Sequence, residues 1–139
     1  RRYDLAGDLL ATAIDRSSND GVPIADAVRH AADAEGRRLA AAAADESTGG
    51  APGGASGRRP DNLVSVARVL ARHGYEPRIS DREILLANCP FDRLATRHPA
   101  LVCGMNLALI GGVIAGLDAP GPTAELGPQP GFCCVKIRG

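Results

Sequence analysis

Residues 88–117 read NCPFDRLATRHPALVCGMNLALIGGVIAGL, and the fold turns on how this stretch divides. Pro90 suits the first turn of a helix, with Asn88 or Cys89 as its cap, so a short polar helix is expected to about Arg97. His98-Pro99 ends it, and Pro99 to Leu117 then runs nineteen residues without a charge. That is long enough to raise a transmembrane reading. Against it stand Asn106, the leading proline, and the lack of a basic cluster or aromatic belt at either end. Gly112 and Gly116 also have the small-xxx-small spacing of close helix packing. The expectation is a fully buried helix in a soluble core, with no membrane span.

On the C-terminal side, Asp118 to Pro122 is a breaker, Thr123 to Leu126 reads as a strand, and Gly127 to Gly131 is a wide turn before a last strand, Phe132 to Ile137. On the N-terminal side, Tyr75 to Ile79 reads as an edge strand because Pro77 cannot serve a central ladder. Ser80 to Arg82 turns the chain into its partner, Glu83 to Ala87. Before them, Asp61 or Asn62 can cap a helix buried through Leu63, Val64, Val66, Ala67, Val69 and Leu70, and Gly74 ends it. Two hairpins with helices imply an α+β fold: a four-stranded antiparallel sheet packed on helices, preceded by two N-terminal helices.

The first of those helices is marked by Leu5, Leu9, Leu10, Ala13 and Ile14 at three- and four-residue spacing, ending at the turn cluster Ser17 to Gly21. The second starts at Pro23 and runs to about Ala44. Its thin face of Ile24, Ala27, Val28, Ala31 and Leu39 offers helix propensity but little to bury. It reads either as a surface helix or, paired with the first, as a dimer interface or lever. Asp45 to Gly57, DESTGGAPGGASG, cannot bury enough to order itself. The expected organisation is therefore a helical dimerisation or lever segment at 1–44, a flexible linker at 45–59, and an α+β cysteine-containing sensor domain at 60–139.

Composition narrows the function. At 139 residues the chain is the size of one ordinary domain, and its 16 basic and 16 acidic residues give no net charge. An independent nucleic-acid binder would carry a basic footprint. Tyr3, Tyr75, Phe91 and Phe132 are the only aromatics, too few for a base-stacking platform. No signal peptide pattern opens the chain, so the four cysteines point to metal, cluster or redox work in a reducing, cytoplasmic setting and not to a disulfide framework.

Cys89 at a helix start would sit among free backbone N–H groups that favour a thiolate. Cys103, just past His98-Pro99, can be aimed toward it. Strand alternation puts Cys133, Val135 and Ile137 on one face and Cys134 with Lys136 on the other, so Cys133 is the inward thiol and Cys134 is spare or a partner in oxidation. Cys89, Cys103 and Cys133 are thus expected to form one site. No CxxC occurs, and three cysteines leave a coordination position open. This suits an iron-sulfur cluster with a non-cysteine fourth ligand, or zinc completed by water or histidine, with His98 the natural candidate.

Asn88-Cys89-Pro90-Phe91, Leu94-Ala95, His98-Pro99, Cys103 and the closing Cys133-x-Val135-x-Ile137 resemble the C-terminal sensor domain of bacterial ArsR-like winged-helix regulators, in particular the SufR-like iron-sulfur group. The resemblance implies a 4Fe-4S cluster on Cys89, Cys103 and Cys133. It also implies a homodimer and a DNA-binding winged helix upstream, since Arg1-Arg2-Tyr3 resembles the last wing strand. The Cys133-Cys134 doublet departs from that group's usual ending. The leading expectation is a non-enzymatic effector-sensing module of a transcription regulator. The alternatives are a metal-free domain holding a small apolar ligand between the sheet and the Pro99 to Leu117 helix, and a thiol redox enzyme using Cys89.

Overall fold

The computed structural model describes residues 2–48 and 62–139; most of the expected linker, and Asp61, lie outside the described residues. Helix α1 (Tyr3–Asp20) buries Leu5, Ala6, Leu9 and Ala13 along one stripe. It runs through the polar cluster expected to end it and stops at Gly21, whose φ of 70° closes the last turn by donating its N–H to the Ser17 carbonyl at 3.0 Å. Ser17, Ser18, Asn19 and Asp20 tolerate the helix; the left-handed conformation that ends it falls to glycine.

Helix α2 (Ile24–Thr48) is where expectation and structure part most. It is no bland surface helix. Ala32, Gly36 and Ala40 are buried, and the helix lies against α5 (Pro99–Gly116) so closely that backbones meet. A β-carbon on Gly36 would stand 2.7 Å from the Val113 nitrogen and 2.9 Å from the Gly112 α-carbon, and one on Gly116 would stand 2.8 Å from the β-carbon of Ala40. The residues that offered little to bury are those that let the two helices touch. The Gly112 and Gly116 spacing read in the sequence serves this contact.

Helix α3 (Asn62–Arg72) buries the expected Leu63, Val66, Ala67, Val69 and Leu70. Strands β1 (Pro77–Ser80), β2 (Glu83–Leu86), β3 (Thr123–Leu126) and β4 (Val135–Arg138) form one antiparallel sheet in the order β1-β2-β4-β3. The α+β class, with its four-stranded antiparallel sheet, is as expected. Ile84 pairs with Ile137 in the central register, and Ile84, Leu86, Val135 and Ile137 are buried toward the helices. The opposite face carries Arg78, Lys136, Glu125 and Arg138, with Glu125 3.1 Å from Arg138. Pro77 lies in an edge strand, where its missing N–H removes no central bond.

The core has two parts. One gathers α3, Tyr75, the sheet and Ile110, Val113 and Ile114 of α5; the other gathers α1, α2, Phe91 and Val102, Met105 and Leu109 of α5. Helix α5 contributes to both, so the stretches on either side of the expected linker share one interior. The helix is long and apolar enough to cross a membrane by length and composition. Its buried face is wide, but it is not buried all round: Leu101 and Ala115 are exposed and Gly104 and Gly111 half-exposed.

The glycine contact yields a contrast. Gly36→Ala or Gly112→Ala drives a methyl group into backbone and should lower unfolding stability by about 1–3 kcal/mol or more. Gly104→Ala meets nothing within 4 Å and should leave stability unchanged or raise it by about 1 kcal/mol, because alanine is the better helix former. Chemical denaturation of the three variants checks both signs.

Candidate cysteine site

The segment after β2 is fixed by Asn88. Its Oδ1 accepts the Glu76 N–H at 2.7 Å, and its Nδ2 donates to the Gly74 carbonyl at 2.7 Å. One side chain therefore staples the strand exit to the loop that precedes β1. The turn that follows is anchored by buried Pro90 and Phe91, and Cys89 sits half-buried in it, packed against both parts of the core. The short helix α4 (Asp92–Arg97) starts only at Asp92, capped by Phe91, so Cys89 lies ahead of the helix and not at its start. The expected dipole effect on its thiol does not apply.

Cys133 lies just before β4 and is buried, continuing the inward alternation of Val135 and Ile137 as expected. Its N–H donates to the Leu86 carbonyl at 2.8 Å, which extends the pairing with β2 past the end of the strand. Its sulfur accepts a hydrogen bond from the Asn106 amide at 3.1 Å and shares a second one with Cys89. The two thiols hold one proton between them more firmly than two. Cys133 is therefore lowered to about 7, chiefly by the bond from Cys89, while Cys89 is pushed far up by that bond and by burial.

Behind this pair stands a buried polar chain. The Tyr75 hydroxyl donates to Asn106 Oδ1, and Asn106 Nδ2 donates to Cys133. Burial, with the charges on Cys133 and Cys89, raises the Tyr75 hydroxyl well above its ordinary value, so it remains a donor. Among the described residues no buried side-chain nitrogen or oxygen lacks a partner. Asn106 and Tyr75 were not expected as site residues. The signal for Asn106 was present: it is the sole amide in the uncharged run, three residues after Cys103 and so on the same side of a helix.

Cys103, in α5, is joined to Cys134 by a disulfide, with α-carbons 6.2 Å apart, inside the span such a bond allows. All four cysteines thus lie in one neighbourhood, but as two pairs. Cys89 meets Cys133, and Cys103 meets Cys134. Of the two roles expected for Cys134, spare or partner in oxidation, the structure has the second: it sits in the bend before β4, where strict alternation has yet to begin, and turns toward α5. His98, expected as a fourth ligand, is exposed at the start of α5, and His30 is exposed on α2. His73 is half-buried, and burial with the nearby Arg2 and Arg72 charges lowers its pKa.

The fit to a metal or cluster follows from the donor count. With Cys103 bonded to Cys134, two thiols remain, and among the described residues no group of three or more His, Cys, Asp or Glu is placed to hold a metal ion. A structural zinc needs four ligands and a cluster three or four cysteines. The arrangement as folded does not fit either. Comparison with family models, curated proteins and solved structures gave no match.

Two measurements check this construction. Asn106→Leu should cost about 1–3 kcal/mol in denaturant unfolding because it strands the buried Tyr75 hydroxyl, and Tyr75→Phe added to it should restore part of the loss. Cys103→Ser should cost about 2–4 kcal/mol, and a reductant that destabilises the wild type by a similar amount should leave the variant unmoved.

Proposed function

We propose that this chain is the sensing module of a bacterial transcription regulator, non-enzymatic, with its signal received at the cysteine site and relayed through α1. One observation supports this above the rest: the turn that carries Cys89 also grips the start of α1. The Pro90 carbonyl accepts the Arg2 N–H at 3.1 Å, and the Tyr3 hydroxyl accepts the Arg93 N–H at 3.3 Å. Phe91 is buried among Leu5, Leu9 and Val102 in the same part of the core. A change at Cys89 therefore has a short mechanical route to α1, the helix that by resemblance follows a DNA-binding winged helix.

The signal best matched to two adjacent thiol pairs is a change in their oxidation state, which alters covalent ties inside a packed core. An iron-sulfur cluster or zinc belongs to a second reading, in which full reduction of Cys103–Cys134 frees four thiols in one neighbourhood. Dimerisation is part of the proposal as well. Ile14 in α1 and Ile24 at the start of α2 are both about half exposed, at 56% and 49%.

The metal-free alternative draws less support, because the space between sheet and α5 is filled by Ile84, Ile110, Val113, Val135 and Ile137. What remains at that edge is a groove along α5 and β3 lined by Leu107, Gly111, Ile114 and Pro122.

Hydrogen exchange on reduced and oxidised protein tests the relay. The amides of the first turns of α1 should change protection between the two states, and a response confined to residues 88–93 and 132–135 would end the proposal. Iron, sulfide and zinc analysis of anaerobically purified, fully reduced protein tests the second reading, and a protein free of all three would remove it. Its sedimentation mass decides whether it is a dimer.

A further inference from the structure

The two cysteine pairs differ in kind. Cys103 and Cys134 are joined, whereas Cys89 and Cys133 are free thiols that pack in the same part of the core. Each of the free pair has its backbone set by a separate device. The Asn88 clamp holds the turn before β1 against Cys89's segment, and the Leu86 carbonyl holds the Cys133 N–H. Both segments are therefore anchored at the exit of β2. They also differ in access. Cys133 is buried beneath Asn106, while Cys89 lines a hollow with Gly74, Glu76, Ala87 and Asn88. A small solute arriving from solvent meets Cys89 first, while Cys133 is buried in the same part of the core.

We propose that Cys89 and Cys133 form an oxidation site for hydroperoxides, Cys89 as the attacking sulfur and Cys133 as the resolving one, so that oxidation closes a second disulfide beside Cys103–Cys134. Cys89 attacks the terminal oxygen of the hydroperoxide, the O–O bond breaks, and the Cys89 proton passes to the departing oxygen, which leaves as alcohol or water. Cys89 is left as a sulfenic acid. The Cys133 thiolate then attacks the Cys89 sulfur, the S–O bond breaks, and the departing hydroxide takes a proton from solvent. Two thiols have lost two electrons, and the peroxide bond has gained them.

Closing this bond ties the turn at 88–91 to the residues before β4. Because the same turn holds α1 through the Pro90 carbonyl, the pair is the switching element of the sensing site, and Cys103–Cys134 is the fixed staple beside it. The proposal rests on reading the cysteine site as the sensor, but its test is chemical and stands apart from the relay.

The full chain, purified in air so that Cys103–Cys134 stays formed, is treated with near-stoichiometric hydrogen peroxide and cleaved after its basic residues without reduction. The wild type should lose two hydrogens and link peptide 83–93 to peptide 98–136. In Cys103→Ser/Cys134→Ser the same link can form only between Cys89 and Cys133. Cys133→Ser should trap a dimedone-reactive sulfenic acid on Cys89, and Cys89→Ser should leave Cys133 unlabelled. Absence of the 83–93 link in the wild type once the peroxide is consumed overturns the proposal. So does dimedone labelling of Cys133 in Cys89→Ser without labelling of Cys89 in Cys133→Ser. A link that forms while α1 protection stays constant removes the relay and leaves the oxidation site in place.

Discussion

The close approach of α2 and α5 is the constraint on which the other elements depend. Two helices whose backbones nearly touch must carry no side chain at the crossing, and Gly36, Gly112 and Gly116 supply that condition. The contact fixes α5 as a central post. Its Val102, Met105 and Leu109 serve the helical side of the core, and its Ile110, Val113 and Ile114 serve the sheet side. Close-packed interiors respond to displacement as units. The cysteine site inherits its geometry from this post, since Cys103 and Asn106 both belong to α5 and Cys89 packs against both sides.

What was legible in the sequence follows from which residues carry a period. Leu5, Leu9 and Ala13 declare α1, the apolar row of α3 declares that helix, and the punctuated apolar runs around Ser80 to Arg82 and Gly127 to Gly131 declare four strands. The role of α2 was hidden, because hydrophobic periodicity scores large side chains and this helix packs by having small ones. Alanine and glycine at 32, 36 and 40 look alike in a solvent-exposed helix and in a backbone contact; only the partner distinguishes them. The end of α3 was legible at Gly74, which turns left-handed, whereas the polar residues read as ending α1 merely permit a turn and the helix runs on to Gly21.

The site divides in the same way. Alternation placed Cys133 inward, and that inference holds because Cys133 pairs with the Leu86 carbonyl as a strand residue would. Alternation also set Cys134 outward, and there it failed: Cys134 lies in the bend before β4, free of the strand's strict up-and-down order, and its thiol reaches α5. Pairing between distant cysteines depends on how a helix crosses a sheet, which no local pattern encodes. The sequence therefore announced that the thiols converge without saying which meets which.

Asn106 shows how the apolar helix and the site explain each other. An amide inside an uncharged run costs several kcal/mol if its hydrogen bonds are not replaced. Here both ends of the amide are used, Oδ1 by the Tyr75 hydroxyl and Nδ2 by Cys133. Tyr75 is in turn placed by the loop that Asn88 clamps, and Cys133 by its bond to β2, so three separated segments meet at one side chain. An apolar residue at 106 would make α5 a better membrane helix and a simpler core helix. What it would remove is the donor to the Cys133 sulfur, and with it a polar tie between α5 and the residues before β4.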